Sequence, residues 1–368
     1  MAKNGSEQPI YVPVLKGKEG EYAALEALPP EVRAGLMPLI EISDVPYDYA
    51  NEGSAKSLDQ HVSGIADRLR KCWNDRLLYL DLPWFEGEER LSDGRVALEA
   101  VLADCAIRGV RAVPVVSRKK SADYLKAAGS YSASTRVGIC IRLVVADFEE
   151  DVDLEAELSR LLSELRKTDI SSIDLVLDLE DLGPDAGRAL LVARSIFSMI
   201  PSKDKWQRIV LVAASFPEDL SDVDASTLTT LPRREWDLWK ALQKRPGLLP
   251  RRDLIFGDYG IANPVTKELD PRTMRMSASI RYTTPKNWLV LKGRNVRQFG
   301  FDQYFELCKL LVKRPEYRGA PFSWADRYIS DCAEGMTGPG NATTWRKVGT
   351  NHHITMVAEQ VASLRHVV

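Results

Sequence analysis

Seven polar residues stand at the ends of short apolar runs along this chain: Lys16, Glu41, Asp81, Arg142, Asp178, Ser215 and Asp258. Each lies two residues after an apolar position of its run, a spacing that puts the pair on one face of an extended segment. Gathered in one place, these groups have several chemistries open to them. Glu41, Asp81 and Asp178 are candidate ligands for a divalent cation, and carboxylate and water ligands suit Mg or Mn. Glu41, Asp81, Asp178 and Asp258 are equally candidate acids and bases, with His353 as a further proton carrier. Lys16 and Arg142 are placed to neutralise a phosphate or carboxylate group, with Ser215 and Arg281 as further ligand contacts. The architectural alternative is that Lys16 with Glu41, and Arg142 with Asp178, form ion pairs that plug the site and fix strand register.

The elements that must position these residues follow from periodicity. Apolar runs rich in Val, Ile and Leu alternate about eight times with longer runs of 3.6-residue period between Tyr11 and Lys313. Such strands bury both faces only in a parallel sheet wrapped by helices, which predicts an α/β fold of the TIM-type (β/α)8 barrel class, with its functional face at the C-terminal strand ends. The expected strands are 11–15, 37–42, 77–82, 112–116, 137–145, 173–179, 208–214 and 254–258. Helices are expected from about residue 21, then over 58–73, 95–108, 120–128, 154–166, 185–199 and 234–243, with 301–312 as the eighth. Ser277–Tyr282 and Trp288–Lys292 read as a β-hairpin of about 277–292 inserted after strand eight, over the same face as a lid or docking surface. A C-terminal extension of about 320–368 ends in a helix over 353–364. One domain spanning 1–368 is expected.

Composition removes several classes. Lys and Arg number 50 against 52 Asp and Glu, a net charge of −2, so no global field favours nucleic acid or an anionic membrane, and any phosphate binding must be local. Met1–Gln8 is polar and lacks the apolar core of a signal peptide, so a cytoplasmic protein is expected. Five scattered cysteines without a C-x-x-C pair fit reduced, buried thiols. No histidine stands at a strand end, which argues against histidine-ligated hydrolase sites.

The remaining motifs are ambiguous. Asp178-Leu179-Glu180-Asp181 resembles an acidic metal loop, or is a solvated turn. Two strand-end carboxylates could serve a retaining glycosidase, but only Trp84, Phe216 and Tyr259 lie near the expected mouth to stack a sugar. Lys16–Glu21 has two glycines that could let a backbone approach an anion but no P-loop spacing, and Ser117-Arg118-Lys119-Lys120 is a rim phosphate contact or a solvated helix start. Adjacent His352 and His353 point two ways on a helix and cannot easily share a metal; one is expected to hydrogen-bond into the barrel while the other titrates near neutral pH.

Tyr11-Val12-Pro13-Val14-Leu15-Lys16-Gly17-Lys18-Glu19-Gly20-Glu21-Tyr22, followed by Pro38-Leu39-Ile40-Glu41-Ile42, resembles the phage beta protein family. Gly257-Asp258-Tyr259, Ile280-Arg281-Tyr282-Thr283, Ser323-Trp324-Ala325-Asp326, Thr344-Trp345-Arg346 and Asn351-His352-His353 are similar in kind and order, so the resemblance covers nearly the whole chain. The family is found in prophages, satellite phages and bacterial genomic islands, where a member is encoded with a killing protein in a small anti-phage cassette. The resemblance therefore implies a defence or toxin-restraining role and a protein partner encoded nearby. It implies no established reaction and carries over no catalytic residue. The expectations are a defence component with a ligand-binding barrel mouth, a metal-dependent phosphodiesterase or nuclease, or a toxin-restraining module without catalysis.

Overall fold

The computed structural model describes residues 9–167, 169–225, 227–245, 247–250, 253–265 and 276–365. Met1–Gln8 and the last three residues of the expected extension lie outside them. Eight parallel strands, Tyr11–Leu15, Leu39–Glu41, Leu77–Asp81, Arg111–Val116, Ile139–Val144, Ile173–Asp181, Arg208–Ala214 and Ile255–Asp258, close into a barrel. Closure is made by the first strand pairing with the eighth, Tyr11 opposite Phe256 and Val12 opposite Gly257. The fold is the expected TIM-type (β/α)8 barrel.

Two apolar layers define the barrel. Val12, Val14, Leu39, Tyr79, Val113, Val115, Cys140, Val176, Val210, Val212 and Ile255 fill its interior. Alternate residues of the same strands, such as Leu80, Ile141, Leu175, Leu177, Leu211 and Phe256, pack outward under the helices. Both faces are apolar because both are buried. A second polar layer closes the bottom, where Asp174 accepts from the Tyr79 hydroxyl at 2.8 Å and from Arg208 at 2.9 Å.

The helical ring departs from expectation at its eighth member. The position beside the first helix, Glu19–Glu26, is taken by the C-terminal helix Ala342–Arg365, whose Ile354, Val357, Ala358 and Val361 join the barrel core. Gln303–Val312, expected there, instead packs on Trp324–Ala333 and on the hairpin strands Ser277–Thr283 and Asn287–Asn295 in a separate apolar cluster. The final helix also begins eleven residues before the expected start at His353. Its first half is rich in weak helix formers, Thr343, Thr344, Gly349, Thr350 and Asn351, and owes its helicity to burial. Gly20 belongs to this contact, since a Cβ there would lie 2.7 Å from the Thr343 carbonyl and 2.8 Å from Arg346 Cβ. Gly20 thus serves helix packing, while Gly17, at φ +63°, lies where a Cβ would meet the Glu41 carbonyl at 2.7 Å.

The hairpin is longer than expected and is joined by a third strand, Thr227–Pro232. Its Ala278, Ile280 and Tyr282 face the satellite helices, while Trp288 and Val290 pack with Phe216, Val223 and Ile261 from the loops after barrel strands seven and eight. It is a packed layer between barrel and satellite, not a free lid. The expected 58–73 helix is two helices, Leu58–Val62 and Ile65–Trp73, parted at Gly64 with φ +76°. Among the described residues no helix is long and apolar enough to cross a membrane.

Gly257 occupies an inward position of the eighth strand, where a Cβ would lie 2.7 Å from Val212 Cγ2 and 3.0 Å from the Val12 carbonyl. Gly257→Ala is expected to destabilise the barrel by about 1–3 kcal/mol through overpacking. Urea unfolding reads this directly; an unchanged midpoint and slope would contradict it.

Candidate functional site

Inward alternation continues past the apolar layer to the C-terminal strand ends. It brings Lys16, Glu41, Asp81, Arg142 and Asp178 together at the barrel mouth, with Tyr259 just beyond strand eight. Arg142 is the centre. Its Nη1 donates to Glu41 Oε1 at 2.7 Å and to Asp81 Oδ2 at 2.6 Å. Its Nη2 donates to Asp178 Oδ2 at 2.5 Å and to the Tyr259 hydroxyl at 2.6 Å, and its Nε donates to the same Asp178 oxygen at 3.1 Å. Tyr259 in turn donates to Asp178 at 2.5 Å. Lys16 Nζ holds the other Glu41 oxygen at 2.6 Å and donates to the Pro264 carbonyl at 2.9 Å.

A guanidinium has five N–H donors, and here each has an acceptor within the protein. Arg142, expected to bind a ligand anion, is therefore spent on positioning the carboxylates. Both expected ion pairs are present, but as parts of one network rather than as two isolated pairs. The same geometry bears on the metal expectation: Glu41, Asp81 and Asp178 converge on a guanidinium instead of an open position. Among the described residues no three His, Cys, Asp or Glu side chains are grouped to hold a metal ion. The residues present do not fit Mg or Mn.

Electrostatics separates the two carboxylates that share Nη1. Burial alone would raise Glu41, but Arg142 and Lys16 outweigh it and hold its carboxyl below the ordinary value. Asp81 lacks the second direct cation, so burial wins over Arg142 and Lys120 and its carboxyl is raised. Burial opposes the charge of Arg142, yet the surrounding acidic groups hold it firmly protonated.

A cleft of about 320 Å³ lies above this floor. Its walls include Ser117, Arg118, Lys119 and Lys120 from the loop after strand four, Trp84 after strand three, Glu180 at the end of strand six, and Val265. The basic run divides by role. Lys120 is buried and donates to the carbonyls of Leu82 at 2.7 Å and Phe85 at 2.8 Å, while Arg118 Nε donates to Asp147 at 2.8 Å. Lys119 is exposed, and Trp84 is 51% exposed at the rim. The acidic run divides as well: Asp178 is in the network, Glu180 faces the cleft at φ +54° beside a bulge, and Asp181 accepts from Asn263 at 2.7 Å. Burial and the neighbouring Asp178 raise the Glu180 carboxyl.

Ser215, Asp258 and His353 are not at this mouth. Ser215 continues the outward series Ile209, Leu211, Ala213, and Asp258 follows the outward-facing Phe256. Asp258 accepts from the Tyr11 hydroxyl at 2.6 Å and lies 2.9 Å from His353 Nε2. Burial keeps His353 neutral, so Nε2–H donates to the ionised Asp258 and Nδ1 accepts from the Thr283 hydroxyl at 2.8 Å. His352 is equally buried and presents both nitrogens to acceptors, Asp326 Oδ2 and the Thr283 carbonyl, each at 2.8 Å. Burial raises the Asp326 carboxyl, but His352 and the Ser323 and Tyr282 hydroxyls outweigh it and hold it below the ordinary carboxylate value. Asn351 donates to the Ala24 carbonyl at 3.1 Å and accepts from Ala325 N at 3.1 Å. Asn351-His352-His353 is thus a buried staple joining final helix, barrel and satellite, and His353 is no proton carrier for the mouth.

Ser215 hydrogen-bonds Glu235, a residue with no sequence signal because it opens an ordinary amphipathic helix, Arg234–Gln243. Glu235 also faces the fully buried Arg233 at 3.3 Å. Arg281 lies apart from the mouth, donating to the Ile261 carbonyl at 2.7 Å.

Two predictions follow from these charges. Arg142→Met strands three buried carboxylates and is expected to cost about 3–5 kcal/mol at neutral pH. With the guanidinium gone, burial lifts the Asp81 carboxyl further and pushes the Glu41 carboxyl up, so the cost shrinks as pH falls and these two take up protons. Urea unfolding at neutral and acidic pH checks this; a cost independent of pH would contradict it. Burial chiefly, with Asp258 nearby, lifts Glu235 from 4.5 to about 7. The stability it contributes is full below pH 4.5 and is lost as pH rises through about 7. Glu235→Gln should flatten that part of the pH–stability profile, and an unaltered slope would contradict the assignment.

No curated protein and no solved structure matches the chain. The Beta protein family does, over residues 11–359, which takes in every mouth residue and both staple histidines. The chain belongs to the Beta protein family.

Proposed function

We propose that this chain is a cytoplasmic component of a prophage- or genomic-island-borne anti-phage defence, working with a co-encoded effector, and that its barrel mouth binds a small anionic ligand carrying a flat ring. The observation that supports the reading is the division of labour at the mouth. Arg142 and Lys120 are engaged by the protein, while Lys119 and the half-exposed Trp84 stand on the rim of a cleft of about 320 Å³ with no structural task. That volume lies within the range of small-molecule sites, at the face where barrels of this class place theirs. Lys119, with the outer nitrogens of Arg118, offers charge to a phosphate or carboxylate, and Trp84 offers a stacking surface.

The phosphodiesterase or nuclease reading needs a metal held by carboxylates that here hold Arg142. A toxin-restraining role for the hairpin draws no support from a sheet packed on both faces.

The test is a thermal-shift panel of nucleotides and related phosphates on the full chain, followed by plaque counts in a host carrying the gene with its neighbours. A ligand at 100 times its dissociation constant should stabilise the fold by about 2.7 kcal/mol. Trp84→Ala and Lys119→Ala should abolish that shift and the protection while leaving basal stability within about 0.5 kcal/mol, since both are surface positions. Full protection with both variants would overturn the reading.

A further inference from the structure

Of the six carboxylate oxygens that Glu41, Asp81 and Asp178 bring to the barrel mouth, five are met by donors of the protein itself. Glu41 Oε1 accepts from Arg142 at 2.7 Å and Oε2 from Lys16 at 2.6 Å. Asp178 Oδ2 accepts from Arg142 and from Tyr259, each at 2.5 Å, and Oδ1 from the Glu180 backbone N–H at 2.9 Å. Asp81 Oδ2 accepts from Arg142 at 2.6 Å. Asp81 Oδ1 has no donor among the described residues.

The Asp81 side chain is 5% exposed, and it lines the cleft of about 320 Å³. A carboxylate oxygen taken this far out of water without a donor is costly, and the cost is offset when a bound molecule brings one. The contrast with Glu41 shows the same deficit. Burial acts on both, but Glu41, with a cation on each oxygen, is held below its ordinary value, while Asp81 is raised. The surroundings of the free oxygen also orient a ligand. Asp81 ends the third barrel strand, Trp84 stands three residues further on at the rim, and Arg118 and Lys119 follow the adjacent fourth strand. A ring stacked on Trp84, with its anionic group at Arg118 and Lys119, turns its far edge to the floor and to Asp81.

Resting on the reading of the mouth as a site for a ring-bearing anion, we propose that the ligand is a nucleotide whose base turns an amino or imino N–H to Asp81 Oδ1, which makes Asp81 the specificity-determining acceptor. Asp81→Asn gives a sharp test. The Arg142 Nη1 bond claims the amide oxygen, so the amide nitrogen takes the place of Oδ1 and offers hydrogen where the carboxylate offered a lone pair. The experiment is calorimetric titration of the full chain, as wild type, Asp81→Asn and Trp84→Ala, with AMP, GMP, CMP and UMP. The 5′-monophosphates of purine riboside and pyrimidin-2-one riboside, whose rings carry no N–H, are the parallel titrants. Wild type should bind at least one of the four nucleotides roughly tenfold or more tightly than the analogue of the same ring size, and Asp81→Asn should abolish or reverse that preference. Trp84→Ala should weaken nucleotide and analogue alike. The wild-type ratio decides by itself if Asp81→Asn fails to fold. Nucleotides that bind through Trp84 no better than the analogues, or a preference that Asp81→Asn leaves intact, would overturn the role of Asp81 and leave the reading of the mouth standing. Saturable binding of none of the six would overturn the nucleotide proposal, and a thermal shift with other phosphates would then still support the mouth.

Discussion

Burying a guanidinium at the end of a barrel obliges the rest of the mouth to serve it. Arg142 reaches the site because it stands on the inward side of the fifth strand, two residues beyond Cys140, where the apolar filling ends. Desolvating that charge costs several kcal/mol, recovered only if every donor is met in good geometry. The second, third and sixth strands each bring a carboxylate to the right height, Asp178 accepting two of the five bonds, and Tyr259 supplies the fourth acceptor. Lys16 and Lys120 balance the remaining negative charge: three cations face three carboxylates. The result is a floor close to neutral, held by bonds between strands distant in sequence.

This floor explains why the mouth does not act as a bare cluster of acids. The groups that line the cleft above it stand on loops, Trp84, Lys119 and the outer nitrogens of Arg118, and on the irregular end of the sixth strand, Glu180. Rigid strands fix the platform, and the proposed ligand would be met chiefly from the loops, the usual arrangement in barrels of this class. On the far side, the final helix closes the ring through three consecutive buried polar residues. Asn351 ties it to the first helix and to the satellite, His352 to Asp326, and His353 to Asp258. Thr283 joins the two histidines, its carbonyl to one and its hydroxyl to the other. Barrel and satellite are thereby locked through one short segment.

The barrel was legible in the sequence because short apolar runs and longer runs of 3.6-residue period alternate without interruption as far as Asp258. The mouth was legible in part: Lys16, Glu41, Asp81, Arg142 and Asp178 do meet. Ser215 and Asp258 were misplaced for a physical reason. Strands buried on both faces are apolar on both, so standing two residues after an apolar position does not say which face a polar residue shares. The helix expected over 120–128 runs on to Thr135, through Gly129, where a Cβ would lie 2.8 Å from the Leu165 carbonyl. The eighth helix was misassigned because a helix in the right order, Gln303–Val312, is apolar enough to fit, and order in sequence carries no information on which of two later helices docks. Lys119 and Trp84 were visible as residue types; their freedom emerged only once the partners of Arg118 and Lys120 were known.

The central claim is that Arg142 is scaffold and the rim is the ligand surface, and arginine side-chain nitrogen NMR tests it most directly. With all five donors satisfied and the group buried, the Arg142 guanidinium should give a resolved, slowly exchanging signal that stays in place when a mouth ligand is added, while the Trp84 indole signal moves. A rapidly exchanging Arg142 signal, or one that shifts on ligand addition while Trp84 does not, would contradict the account.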